Sequence, residues 1–236
     1  MLSSLARLNG GLIVSCQPVS GGPMDRTDMV VGFALAAEAG GASGLRIEGV
    51  ANVRAVRQVT ALPIIGLVKR VDPASPIIIT ATPRDVEDLA DAGADIIAFD
   101  ATRRVRPVSI LELVAAVQRA GRLSMADCAD LADARAARDA GVEILGTTLS
   151  GYTGGPVPDQ PDIDLVREAS RLGRPVFAEG RYKTVEHVAS ARDAGATAVV
   201  VGSAITRPEH ITAWYVDAMK DRAPREDRAD NLPARG

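Results

Sequence analysis

A single closed (β/α)8 barrel is the fold class this sequence predicts, and three observations predict it. Eight short apolar runs alternate with longer segments of helical apolar spacing. Those longer segments stop at glycines, in a repeated Asp-Ala-Gly at 91, 139 and 193 and a related Glu-Ala-Gly-Gly at 38. The short runs are apolar on both faces, as in a parallel sheet covered by helices, and eight parallel strands close into a barrel. The length of 236 residues suits one such domain.

The strands read in order as "GLIVSCQ" (11–17), "GLRIEG" (44–49), "PIIGLVKR" (63–70), "DIIAFDAT" (95–102), "RLSMADCA" (122–129), "EILGTTLSG" (143–151), "PVFAEGR" (175–181) and "TAVVVGSAI" (197–205). Between them, "RDVEDLADAGAD", "ADLADARAARDAGVE" and "KTVEHVASARDAGAT" carry the helical pattern. An open doubly wound sheet is the competing arrangement. It normally places a glycine-rich dinucleotide fingerprint after an early strand, whereas the glycines of "NGGLIVS" precede theirs. The barrel domain is expected over 1–220. The segment 221–236, with four arginines, four acidic residues, two prolines and almost nothing apolar, reads as a disordered tail.

Composition narrows the function classes. Hydrophobic residues make up 47% and charged residues 24%, ordinary for a globular chain, and 3% aromatic content means an aliphatic core. A formal charge of −3 with dispersed arginines argues against nucleic acid as partner. No apolar run reaches the roughly 18 residues of a membrane span, and the N-terminus lacks a cleavable signal pattern. Cys16 and Cys128 lie far apart without metal-ligand spacing, so buried thiols in a reducing, cytoplasmic setting are expected, with no metal.

In this barrel class the working face lies at the C-terminal strand ends. Polar residues gather there: Gln17, Arg46, Lys69, Asp100, Asp127, Thr147 with Thr148, and Glu179 with Arg181. Lys69 stands out because only three of the 27 basic residues are lysine. Lysine can shed its proton near neutral pH when perturbed; arginine cannot. After strands seven and eight, "EGR" and "VVVGSAITRP" place Gly180, Arg181, Gly202, Ser203 and Arg207 at turns before helices, Pro208 suiting a first helical turn. Backbone N–H groups at such positions form a phosphate cradle, and Arg207 adds a cation that can bind two oxygens at once. A phosphorylated small molecule is the ligand this layout predicts.

The segments "GLIVSCQP", "RAVRQVTALPIIGLVKR", "ADAGADIIAFDATRRVRP", "LSMADCADLADARAARDAGVEILGTTLSGYTGG", "FAEGRYKT" and "VVVGSAITRP" resemble, in order and spacing, the N-acetylmannosamine-6-phosphate 2-epimerases. The resemblance runs from residue 11 to about 220. It implies a ribulose-phosphate-binding type of TIM barrel that interconverts N-acetylmannosamine 6-phosphate and N-acetylglucosamine 6-phosphate without a cofactor, in sialic acid catabolism. The partner implied is thus a small phosphorylated amino sugar; a homodimer is left open. Two positions depart from the family pattern. Ser203 follows Gly202 where a second glycine is usual, which matters only if that position needs positive φ. Glu48 stands after strand two, on the face of Arg46, where the two could pair.

Epimerisation at C2 of the open-chain sugar needs a base for the proton α to the aldehyde. Lys69, Asp127 and Glu179 are the candidates among the clustered residues. An unperturbed lysine is under roughly 0.1% neutral at pH 7, so Lys69 must be depressed by burial or by cations such as Arg46 and Arg70, against the pull of a Glu179 partly neutralised by Arg181. The resemblance implies Lys69 as the proton-transfer residue with Glu179 beside it, and Gln17, Arg46 and Asp127 as sugar contacts. Glu179 is expected to aid ring opening or orient the lysine. Tyr152, in the glycine- and proline-rich loop "SGYTGGPVPD", is a candidate lid residue or a packing residue. His187 and His210 are read as helix residues facing away from the strand ends. A Schiff-base aldolase and a non-catalytic phosphosugar-binding barrel are the competing readings.

Overall fold

The computed structural model describes residues 2–220; the predicted tail lies outside them. Eight strands form a closed parallel barrel in chain order: β1 Leu12–Cys16, β2 Gly44–Glu48, β3 Ile64–Leu67, β4 Ile96–Asp100, β5 Leu123–Asp127, β6 Ile144–Gly146, β7 Val176–Glu179 and β8 Ala198–Val201. β8 closes onto β1, with Ile13 opposite Val200. All eight predicted strands are present, each shorter than the apolar run suggests. The largest difference is in the sixth, where pairing stops at Gly146 and Thr147 onward forms a turn. In the eighth, Gly202 ends the strand and residues from Ser203 form a short helix.

The helices are α1 Leu2–Leu8, α2 Thr27–Ala39, α3 Val50–Arg57, α4 Pro83–Asp91, α5 Ile110–Arg119, α6 Leu131–Asp139, α7 Ile163–Ala169, α8 Val185–Asp193, α9 Ser203–Thr206 and α10 Pro208–Lys220. Their starts are written in side chains. Thr82 with Asp85 and Ser109 with Glu112 form reciprocal capping boxes on α4 and α5, and Asp130, Asp162 and Thr184 cap α6, α7 and α8. The Asp-Ala-Gly repeats end α4, α6 and α8 at Gly93, Gly141 and Gly195, all at positive φ, the left-handed exit that glycine takes without Cβ strain.

Pleating divides each strand between two cores. Outward residues such as Val14, Leu45, Ile47, Ile64 and Phe99 pack under the helices. Inward residues Ile13, Ile65, Leu67, Ile96, Met125, Ile144, Phe177 and Val200 fill the barrel with Leu8 of α1. Gly44 is required by that plug, because a Cβ there would collide with Leu8 Cδ2. The same alternation selects the polar set. Counting in twos from Ile13, Ile65, Met125 and Phe177 along their strands reaches Gln17, Lys69, Asp127 and Glu179.

Beyond β3 the chain continues as an antiparallel ribbon. Lys69 bridges Ile79, Arg70 N–H donates to Ile78 O at 2.9 Å, and Thr80 N–H donates to Val68 O at 2.9 Å. The ribbon reverses at Asp72–Ser75, and Thr80 ends its returning arm at φ 45°, fully buried, with its hydroxyl accepting from Val68 N–H. Lys69 is therefore held on a ribbon two residues past its strand.

Candidate active site

At the C-terminal mouth, Arg46 crosses the lumen from β2 and grips Asp127 on β5 with two nitrogens, Nη2–Oδ2 at 2.8 Å and Nη1–Oδ1 at 3.2 Å. Its Nη1 also lies 3.1 Å from Glu179 Oε2 on β7. The Arg46 and Asp127 side chains are 1% and 0% exposed. Burial disfavours the Arg46 charge, but Asp127 and Glu179 outweigh that and hold the guanidinium protonated above its ordinary range.

Of the two arrangements open to Glu48, pairing with Arg46 is not the one formed. Glu48 sits beside β3 and accepts the Lys69 backbone N–H at 3.2 Å, so it fastens the lysine's chain instead. Two further expected partners are also corrected. Arg70 donates to Asp85 Oδ1 at 2.8 Å, outside the cluster. Arg181 does not neutralise Glu179: its Nε donates to Gln160 O at 2.7 Å and its Nη1 to Ser150 O, and it lies over the Tyr152 ring at 5.3 Å. The left-handed backbone of Arg181, φ 64°, accompanies this course across the β6–α7 loop.

Lys69 Nζ donates to Gln17 Oε1 at 2.7 Å, and Gln17 Nε2 donates to Ser15 Oγ at 2.8 Å. Gln17 thus accepts a lysine hydrogen and leaves the lone pair of a neutral amine free for another partner. Burial lowers the Lys69 pKa from its ordinary 10.5, with Arg46 and Arg207 adding to the effect against Glu48 and Glu179. The residue borders an open cavity and keeps the accessible area of an exposed one. Its surroundings deplete its hydration only in part, and a ligand filling the cavity removes more water.

Glu179 shifts the other way. Burial raises its carboxyl above the ordinary 4.5 and Asp127 adds to this, while Arg46, Thr148 and Lys69 oppose. Thr148 Oγ1 lies 2.6 Å from Asp127 Oδ1 and 3.1 Å from Glu179 Oε2. A hydroxyl has one hydrogen to give. Donated to Asp127, it leaves Thr148 to accept from a protonated Glu179. Since native Glu179 retains a proton that the unfolded chain loses near pH 4.5, stability falls as pH rises from 4.5 through the folded value. Glu179→Gln, which cannot ionise, is expected to gain stability relative to the parent across that interval, read from urea midpoints at a series of pH values.

A cavity of about 540 Å³ opens beside this cluster, lined by Lys69, Glu179 and the segments after β7 and β8: Gly180, Arg181, Gly202, Ser203 and Arg207. All five predicted cradle residues therefore border one space. Ser203 starts α9 without positive φ, so serine in place of glycine causes no backbone strain there. Arg207 Nε donates to Gln17 O at 2.8 Å, and Thr206 Oγ1 to Ser15 O at 2.7 Å, which ties α9 to β1.

His210, Trp214 and Lys183 also line the cavity. His210 was expected to face away; α10 instead folds back over the mouth and turns it inward. Lys183 Nζ lies 5.4 Å from the Trp214 ring centre. The scarcity of lysine, which singled out Lys69, also marks Lys183. His187 stays at the start of α8, accepting the Lys183 N–H at 3.3 Å through Nδ1. Cys16 and Cys128 are buried, as expected, and burial pushes the Cys16 thiol up to about 12. Tyr152 is 48% exposed and borders the cavity, on the loop that Arg181 fastens.

A (β/α)8 barrel with an ionisable cluster and a cation-lined recess at its strand C-termini has the layout of the enzymes of this fold. The chain belongs to the family described as "Putative N-acetylmannosamine-6-phosphate epimerase", whose profile matches residues 30–221. It is 57% identical over 218 residues to the "Bifunctional enzyme NanE/NanK" of Brucella melitensis, covering 92% of this chain but only 42% of that protein. It is 52% identical to the "Putative N-acetylmannosamine-6-phosphate 2-epimerase" of Glaesserella parasuis, covering 92% of this chain and 94% of that one. The solved N-acetylmannosamine-6-phosphate 2-epimerase from Clostridium perfringens superposes with a TM-score of 0.88 at 39% identity, over 91% of this chain and 95% of that one.

Proposed function

We propose that this chain interconverts N-acetylmannosamine 6-phosphate and N-acetylglucosamine 6-phosphate by moving the C2 proton of the open-chain sugar. The observation that carries the reading is one cavity bordered both by a depressed lysine beside a raised carboxyl and by the segments after β7 and β8. The 6-phosphate lies against Gly202 and Ser203 at the start of α9, with Arg207, Arg181 and Lys183 supplying positive potential. The sugar then extends toward Gln17 and Lys69.

Neutral Lys69 takes the C2 proton. The C–H electron pair becomes the C1–C2 π bond, and the aldehyde oxygen gains charge. Protonated Glu179 gives its hydrogen to the ring oxygen on opening, or to that charged oxygen. Arg46, fixed by Asp127, holds the carboxyl in place. The intermediate then turns about its C2–C3 bond, and the Lys69 ammonium returns a proton to the other face of C2 as the C1–C2 π electrons form the new C–H bond, which gives the epimer and restores the neutral amine. All steps use side chains of this chain.

The described residues 2–220 act in this reading as one barrel domain. In this reading the protein works in the cytoplasm; no helix among the described residues is long and apolar enough to cross a membrane. Proton NMR of N-acetylmannosamine 6-phosphate in heavy water with the protein added is the direct test. The expected result is loss of the C2–H signal together with appearance of the gluco epimer. No exchange and no epimer would refute the reading. An adduct trapped on Lys69 by borohydride would favour the aldolase alternative.

A further inference from the structure

The bond from Lys69 N–H to Glu48 Oε1 takes the place of a missing rung in the sheet. Main-chain bonds between β2 and β3 continue as far as Gly49 N–H, which donates to Leu67 O at 2.8 Å. In a parallel ladder the next bond would run from Lys69 N–H to Gly49 O. Gly49 does not supply it. At φ 90° its backbone leaves the sheet, and its carbonyl accepts Val53 N–H at 2.9 Å in the first turn of α3. On its other edge Lys69 pairs with Ile79 of the ribbon. Without the Glu48 carboxylate, the lysine's backbone would be held by the ribbon alone.

The same bond keeps an anion near the base without capping its amine. Glu48 Oε1 is taken up by the Lys69 backbone, while Lys69 Nζ donates to the neutral Gln17 at 2.7 Å. Asn52 Nδ2 donates to Glu48 O at 2.9 Å and holds the residue at the end of β2. Glu48 borders neither the cavity of about 540 Å³ nor a smaller one of about 340 Å³ beside it, whereas Lys69 borders both. Any effect of Glu48 on a ligand therefore passes through Lys69.

We propose that Glu48 is a positioning residue for proton transfer: its carboxylate completes the ladder beyond β2 and fixes the height at which Lys69 meets C2. The proposal rests on the epimerase reading and deepens it. The charge of Glu48 also adjusts the strength of the base. Glu48 and Glu179 favour the Lys69 ammonium, and Arg46 and Arg207 oppose it. Arg104 borders the smaller cavity with Lys69, and Asp159, Arg181, Lys183 and His210 border the larger one.

Two substitutions separate the anchor from the charge. Glu48→Gln keeps an oxygen for Lys69 N–H and removes the anion; Glu48→Ala removes both. Glu48→Gln is expected to hold kcat within about 3-fold of the parent, while the rise of kcat/KM with pH moves to lower pH because the ammonium has lost a favourable charge. Glu48→Ala is expected to move that rise in the same direction and to lower kcat by about 10-fold at little change in KM, since a displaced base slows chemistry more than binding. Amide hydrogen exchange read by NMR needs no substrate: Lys69 N–H is expected to exchange about 10-fold faster in Glu48→Ala than in the parent or Glu48→Gln. Unchanged exchange, or a kcat for Glu48→Ala equal to the parent's, overturns the anchor. A Glu48→Gln profile that stays in place or moves to higher pH overturns the charge effect, and this isosteric variant remains decisive where Glu48→Ala does not fold. A parent without epimerase activity removes the reading on which the proposal rests, while the exchange measurement still reports the anchor by itself.

Discussion

Lys69→Arg is expected to be about as inactive as Lys69→Ala, with kcat for C2 exchange lower by roughly 10³-fold in each, measured by proton NMR in heavy water. The arginine variant keeps the positive charge and a donor within reach of Gln17, so a structural or electrostatic role for the lysine predicts substantial retention. A proton-transfer role predicts none, because a guanidinium does not deprotonate in the working range. In the parent, kcat/KM should rise with pH as Lys69 loses its proton, with a midpoint below the ordinary 10.5, since burial, Arg46 and Arg207 all lower it. A midpoint at or above 10.5 would mean that Glu48 and Glu179 dominate. Partial rescue of Lys69→Ala by an added primary amine would identify the missing group as a base.

Arg46→Met is expected to destabilise the protein by about 3–5 kcal/mol, a large part of the roughly 5–15 kcal/mol that holds a typical domain folded. The change leaves Asp127, fully buried, without its two-nitrogen partner and removes the cation nearest Glu179. Urea denaturation checks the value. The double variant Arg46→Met with Asp127→Leu should recover much of the loss, because the buried carboxylate then disappears with its partner. If the double variant is destabilised by the sum of the two single effects, Arg46 acts through packing rather than through charge.

Strand count and the polar set at the strand ends were legible in the sequence because each depends on a period or a local turn, and the segments singled out after strands seven and eight do border one cavity. Two-residue alternation puts Gln17, Arg46, Lys69, Asp127 and Glu179 on one face whatever the distant packing. The glycines at 93, 141 and 195 announce helix ends through backbone geometry alone. Partner choice was not legible, since it is set across the lumen. Nothing in "GLRIEG" says that Arg46 reaches past its own strand to β5 and β7 while Glu48 turns to the next strand's backbone. Arg181 was assigned to Glu179 by proximity in sequence; its left-handed backbone accompanies a side chain directed to Ser150 and Gln160. His210 and Trp214 enter the cavity only because α10 packs over the mouth, a tertiary event with no local signature.

The bonds from Thr206 to Ser15 and from Arg207 to Gln17 join residues 191 and 190 positions apart. A ribosome must therefore make almost the whole barrel before the recess can exist. Until β8 emerges, β1 and β7 both present unpaired edges, and the nascent chain carries two open templates for mispairing. Chains arrested after β7 hold Lys69, Asp127 and Glu179 but lack the Arg207 side that completes the site. The cavity at the mouth thus closes in one late step of synthesis, when the last strand has emerged.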